Sequence, residues 1–145
     1  EYQGIDMFPL TLKKLHLGNI INFLFKWPKN LTELDIGEST FDECEYWDNG
    51  KDIDMFPVNL IKLSLGGFNR KINKFPSNLK HLNLGHYDKK INKLPDTLTH
   101  LNMNYYNKKI NKLPKNLIYL DMGHLYSHKI KKFPDNLIEL NLGCN

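Results

Sequence analysis

Proline occurs seven times in the 145 residues, and every one sits at the same place in a recurring phrase. The phrase is clearest at Phe75-Pro76-Ser77-Asn78-Leu79-Lys80-His81-Leu82-Asn83-Leu84-Gly85. Aligned on proline, copies begin at Phe8, Trp27, Phe56, Phe75, Leu94, Leu113 and Phe133, with steps of 19, 29, 19, 19, 19 and 20 residues between prolines. A period of this length means one supersecondary unit built repeatedly and stacked, so local motifs have to be weighed inside a repeat array.

Each unit carries Leu-x-x-Leu-x-Leu, as at Leu79, Leu82 and Leu84. The last two leucines alternate with polar residues, the period of a strand with one buried face. One strand of four or five residues cannot stand alone in water, but seven side by side form a parallel sheet in which each leucine rests on its equivalent in the next coil. Glycine follows at Gly18, Gly37, Gly66, Gly85, Gly123 and Gly143, and Asn104 takes that place once. Both residue types tolerate the left-handed backbone that a sharp exit from the strand needs.

The return paths repeat as well: H-Y-D-K-K-I-N-K-L precedes Pro95 and Y-Y-N-K-K-I-N-K-L precedes Pro114. Ile72, Ile91, Ile110 and Ile130, with Phe75, Leu94, Leu113 and Phe133, are expected to turn back into the core. The prolines disfavour a helix through these segments, which predicts extended or single-turn geometry. Asn30, Asn59, Asn78, Asn116 and Asn136 are read as turn residues whose amides bond backbone in stacked ladders.

The spacing G-x-[FY]-[ND]-x-K-I-x-x-[FL]-P-x-N-L-x-x-L-x-[LM]-G resembles the FNIP repeat, a relative of the leucine-rich repeat abundant in social amoebae and in giant viruses of amoebae. Its signature stands at Phe68-Asn69-Arg70-Lys71-Ile72, and with tyrosine at Tyr87-Asp88-Lys89-Lys90-Ile91 and Tyr106-Asn107-Lys108-Lys109-Ile110. The first two copies carry it poorly. The resemblance implies a leucine-rich-repeat-like solenoid with a binding role, in an intracellular setting such as a host cytoplasm or a virion. Relatives that carry an F-box upstream imply a substrate-recognition arm of a ubiquitin-ligase adaptor. No F-box is visible in these residues.

The chain is long enough for one domain. Hydrophobic residues make up 41% of it and concentrate in the repeat columns, so a continuous core is feasible. No apolar run approaches the length of a membrane-spanning helix. The first unit begins almost at its phrase and the last stops soon after Gly143, which leads us to expect a piece of a longer protein, or ends that meet a partner. Cys44 and Cys144 stand five coils apart, roughly 24 Å at strand spacing. A disulfide spans under about 7 Å between Cα atoms, so these two are not expected to pair.

Three regions are candidates for contact. The second return carries ten additional residues, an insertion over about 38–55 with seven acidic residues and the aromatics Phe41, Tyr46 and Trp47. Insertions in solenoids map to surface loops, so Tyr46 and Trp47 are assigned to a partner-contact loop. The EF-hand spacing is absent there, and no metal is expected. From residue 70 to 134 the chain holds fourteen Lys/Arg against three Asp/Glu, whereas residues 1–69 hold six against eleven. The lysines recur as Lys71, Lys90, Lys109 and Lys129, and as Lys74, Lys93, Lys112 and Lys132. They predict a convex basic stripe, either a solvated face or a surface for an anionic partner such as nucleic acid. Tyr87, Tyr105 and Tyr106 are placed near it, without an RNA-binding signature.

The third region is the exposed, concave side of the sheet. One polar column there runs Lys14, Glu33, Lys62, His81, His100, Tyr119 and Glu139, and the next His16, Asp35, Ser64, Asn83, Asn102, Asp121 and Asn141. The first column varies while the core columns stay fixed. His81, His100 and Tyr119 are predicted to be neighbours at steps of about 4.8 Å and to form the centre of a protein contact, with Lys62, Asn83, Asn102 and Asp121 around them. A histidine-pair metal site lacks a third ligand and is set aside. No nucleophile–base spacing, phosphate loop or paired carboxylate stands apart from the repeat, so neither catalysis nor a cofactor is expected. The reading is a β-rich solenoid, a right-handed leucine-rich-repeat-like coil of seven units with one parallel sheet and little α-helix. Its leading function is protein binding. A structural or assembly role, such as a virion component, comes second, and nucleic-acid binding third.

Overall fold

The computed structural model describes residues 8–18, 27–37 and 55–143. Seven strands lie within them: β1 (Lys14–His16), β2 (Glu33–Asp35), β3 (Lys62–Ser64), β4 (His81–Asn83), β5 (His100–Asn102), β6 (Tyr119–Asp121) and β7 (Glu139–Asn141). They form one sheet in sequence order. Every pairing is parallel and joins equivalent positions, for example His81 with His100 and Leu82 with Leu101. No helix occurs among the described residues. The chain is the expected parallel solenoid, and from residue 55 onward five coils follow without interruption.

Each strand is only three residues long, shorter than the four or five read from the leucine pattern. Hydrogen bonding nevertheless continues beyond both strand ends. The amides of Lys80 and His81 both donate to the Ile61 carbonyl, and Leu84 donates to Asn102. In the turn that follows, His86 donates to Gly66, Tyr105 to Gly85 and His124 to Asn104. Coil-to-coil pairing thus satisfies backbone groups that a short strand alone would leave open.

The repeated proline sits at the first position of a turn. Its carbonyl accepts from the leucine amide three residues on, as Leu79 to Pro76 and Leu98 to Pro95, so the missing N–H of proline costs nothing there. Two residues after the proline the asparagine amides form the expected inter-coil ladder: Asn30 to the Leu10 carbonyl at 2.7 Å, Asn78 to Val58 at 3.2 Å and Asn116 to Asp96 at 2.8 Å. Thr97 takes the same place in its coil and donates to the Ser77 carbonyl at 2.8 Å.

The glycine column has two causes. At Gly85 φ is +54°, and a Cβ would also collide with the Gly66 carbonyl oxygen of the preceding coil. The six glycines of that column share positive φ with one other described residue, Asn104, at 47°.

The core is continuous from Leu31 to Tyr126. Leu79, Leu82 and Leu84 are at most 2% exposed, and Ile72, Ile91, Ile110, Phe75, Leu94 and Leu113 close the far side. Two expectations fail. Ile130 is only partly buried, and Phe133 is 37% exposed, because no described coil covers the far side of β7. Tyr87 and Tyr106 do not border the lysine stripe as surface rings. They are 1% and 0% exposed, and with Phe68 and Tyr126 they fill the core. Their hydroxyls accept from the amide of the isoleucine in the preceding coil: Ile72 to Tyr87, Ile91 to Tyr106 and Ile110 to Tyr126, each at 3.2 Å. The aromatic of the signature therefore locks each return segment to the one before it.

Candidate functional site

With the leucines turned inward, the outward residues of β1–β7 make two columns on the open face of the sheet. Parallel in-register pairing fixes their order, so Lys62, His81, His100, Tyr119 and Glu139 are successive neighbours. A shallow depression of about 290 Å³ lies across this face, lined from β1 to β6 and including Lys62, His81, Asn83, His100, Asn102 and Tyr119.

Three rings at its centre are stacked. The imidazoles of His81 and His100 lie 4.2 Å apart between centroids and 20° from parallel. Tyr119 follows at 5.8 Å and 24°. Stacking covers the sides that these rings turn to one another. His100 is oriented further by Thr99, whose hydroxyl lies 3.0 Å from Nδ1. Partial burial, then the neighbouring His100, Lys62 and Lys80, hold the His81 imidazole below its ordinary value of 6.5. Partial burial, followed by the carboxylates of Asp121 and Glu139, raises the Tyr119 phenol.

At the other end Glu33 is bracketed by Lys14 at 3.1 Å and Lys62 at 3.6 Å. The hydrogen bond from Lys14 is the first cause that holds its carboxyl below the ordinary carboxylate range. His16 lies 3.3 Å from Asp35 in the next coil.

The second column has an internal duty. The side-chain oxygens of Asn83, Asn102 and Asp121 accept the amides of Gly85, Asn104 and Gly123 at 2.8–3.0 Å, closing the turn into the glycine position. Tyr46, Trp47 and nearly all of the 38–55 insertion lie outside the described residues, as do Cys44 and Cys144.

A second aromatic row was not anticipated. His86 and Tyr105 stack at 4.3 Å and 11°, and His124 follows at 5.5 Å with a 34° tilt. The signal was present in register, since each residue directly follows the glycine position, at Gly85, Asn104 and Gly123. It escaped because the three residues share no single type. Asn104, whose amide reaches Asn83 at 2.6 Å, sits between the two rows in sequence.

On the outer side Lys71, Lys74, Lys90, Lys93, Lys109, Lys112, Lys129 and Lys132 are all exposed, as the column pattern predicted. Lys93 and Lys132 engage Asp96 and Asp135 three residues on. Among the described residues no group of three or more His, Cys, Asp or Glu is placed to hold a metal ion. No helix among them is long and apolar enough to cross a membrane.

Comparison with known proteins agrees with this architecture. Residues 68–106 match the FNIP Repeat family, a segment that holds the Phe68 and Tyr87 signatures and ends on Tyr106. Among solved structures, the chain is similar to YopM from Yersinia enterocolitica WA-314, with a TM-score of 0.69 and 22% identity over 93% of this chain and 29% of that one. It is also similar to CroV588, described as a novel circular LRR protein, with a TM-score of 0.62 and 27% identity over 92% of this chain and 24% of that one. The chain thus spans less than a third of the length of either structure. No curated protein sequence matches it. The FNIP resemblance and the leucine-rich-repeat fold are borne out, and folds of this class typically serve as protein-interaction modules.

Proposed function

We propose that this array of FNIP-type coils is a non-catalytic module that binds a protein partner on the open face of its sheet, centred on His81, His100 and Tyr119. The observation that carries the reading is the division of labour between the two sides of each strand. Inward positions are almost uniformly leucine and at most 2% exposed through the middle coils, whereas the outward first column changes from Lys to Glu to His to Tyr. The fold leaves that column unconstrained, and the stack fixes its rings before any partner arrives, which lowers the ordering cost of binding. Lys62, Asn83, Asn102 and Asp121 surround the stack, and Tyr46 and Trp47 of the insertion are assigned to the same partner.

The FNIP resemblance supplies the cellular setting we favour, an intracellular substrate-recognition arm of a ubiquitin-ligase adaptor. The exposed lysine columns on the outer side support a second reading, in which an anionic partner such as nucleic acid binds there, or the chain serves in assembly.

The test is a pull-down with the wild-type chain and two variants. His81→Glu/His100→Glu/Tyr119→Glu alters only the open face, and Lys90→Gln/Lys93→Gln/Lys109→Gln/Lys112→Gln only the outer side. Retention of wild-type thermal melting confirms that each variant folds. Loss of a protein partner in the first variant alone supports the reading, and ubiquitin-ligase substrates among the lost proteins support the adaptor setting. Loss in the second variant alone, or recovery of nucleic acid, overturns it in favour of the outer side.

A further inference from the structure

The open face is not electrically uniform. Glu33 and Asp35 stand on β2, and Asp121 and Glu139 on β6 and β7, but β3, β4 and β5 place no carboxylate there. The acidic residues between β3 and β6, Asp88 and Asp96, belong to return segments, where Lys89 and Lys93 engage them at 2.9 and 3.5 Å. The middle of the face instead offers Lys62, the stacked pair His81 and His100, and the amides of Asn83 and Asn102. Lys80 lies at the N-terminal end of β4. Glu33 draws on Lys62 at 3.6 Å, but its shorter ion pair is with Lys14, at 3.1 Å.

We propose that the partner segment seated on β3–β5 is acidic, and that proton uptake by the stacked His81–His100 pair tightens its hold. This rests on the open face being the binding surface. The geometry supports it in two ways. The two rings stand side by side on the open face, 4.2 Å apart, so one carboxylate can reach both once they carry protons. Two imidazolium rings at that distance repel each other, and an anion placed against both relieves the repulsion. Binding therefore raises the proton affinity of the pair, and protonation raises the affinity for the anion by the same factor.

The groups around the pair are cationic or neutral except for Glu33. His81 faces Lys62 on β3, Lys80 on its own coil, His100 on β5 and, farther off, Glu33 on β2. His100 faces His81, Thr99 and Tyr119. The low proton affinity of His81 in the free chain, caused by its burial and these cations, leaves that imidazole neutral at neutral pH. The tightening accordingly falls on the acid side, while glutamate side chains stay ionised.

The test titrates a decaglutamate peptide into the 145-residue chain at low salt, at about pH 7.5 and about pH 5.5, with imidazole proton resonances reporting the site. The expected result is an affinity about fivefold or more higher at the lower pH, with His81 and His100 resonances shifting on binding. The pH ratio falls to near one in His81→Gln/His100→Gln and persists in the Lys90→Gln/Lys93→Gln/Lys109→Gln/Lys112→Gln variant. An unchanged ratio in the histidine variant, or binding that disappears with the outer lysines alone, overturns the inference. If the face variant loses its cellular partner while the peptide shows no such ratio, only this inference fails. If the face variant keeps its partner, the functional reading beneath it fails as well.

Discussion

The coil of β4 and the coil of β7 have nearly the same sequence and very different surroundings. Leu82 and Leu84 are 2% and 0% exposed, whereas their equivalents Leu140 and Leu142 are 39% and 61% exposed. The phrase itself is unchanged: each coil has its proline turn, its Leu-x-Leu strand and a glycine with positive φ. What differs is a neighbour on the second side. Burial in this molecule belongs to the stack rather than to the unit, as expected when stability is a sum of nearest-neighbour terms.

The largest expected effect tests that contrast directly. Leu82→Ala removes a side chain enclosed by two coils and is expected to destabilise the chain by about 3 kcal/mol or more, against less than about 1 kcal/mol for Leu140→Ala. Urea unfolding midpoints measure both, and equal costs would break the comparison. Glycine sharpens it next. Gly85→Ala combines left-handed strain with a collision against the Gly66 carbonyl, while an added Cβ at Gly18 finds nothing within 4 Å. The first is expected to cost more than about 2 kcal/mol and the second about 1 kcal/mol, the left-handed penalty alone.

Tyr106→Phe keeps the ring in place but strands the buried amide of Ile91, for an expected loss of about 1–3 kcal/mol. Faster hydrogen exchange at the Ile91 amide would accompany the loss, and unchanged exchange would show that the inter-coil bond is dispensable. The smallest effect is on pH dependence. His81 binds its proton less tightly in the folded chain than its ordinary 6.5, so the unfolded state takes up more protons as the pH falls through that value. Stability should therefore be fully present above about pH 6.5 and decline below it, and His81→Gln should remove part of the decline.

The sequence announced the stack but not everything held within it. Seven prolines in one register, the leucine columns and the asparagine turns identified the parallel coil, because each has a local backbone cause that stacking repeats. The tyrosines were harder. Tyr87 and Tyr106 are read as lying near the lysine stripe, since nothing local reveals that their hydroxyls will accept the amides of Ile72 and Ile91 in the preceding coil. That bond spans 15 residues and exists only once the coils are stacked.

The open face was legible for the reverse reason. Alternation along a strand decides which residues face outward, and the repeat decides which of them are neighbours, so the row His81, His100 and Tyr119 followed from counting. The row His86, Tyr105 and His124 did not, because it lies in the turn beyond the strand, where period-two reasoning ends. Phe133 was placed in the core by analogy with Phe75, and its 37% exposure shows that a column argument holds only where coils lie on both sides.

The central claim is that the open face, not the outer lysine side, meets the partner. The most direct measurement places a photo-crosslinking amino acid at Asn102 on the face or at Lys109 on the outer side, then compares adducts in cells. The account predicts one dominant protein adduct from position 102 that is lost in His81→Glu/His100→Glu, and little from position 109. A dominant adduct from position 109, with position 102 silent, would contradict it.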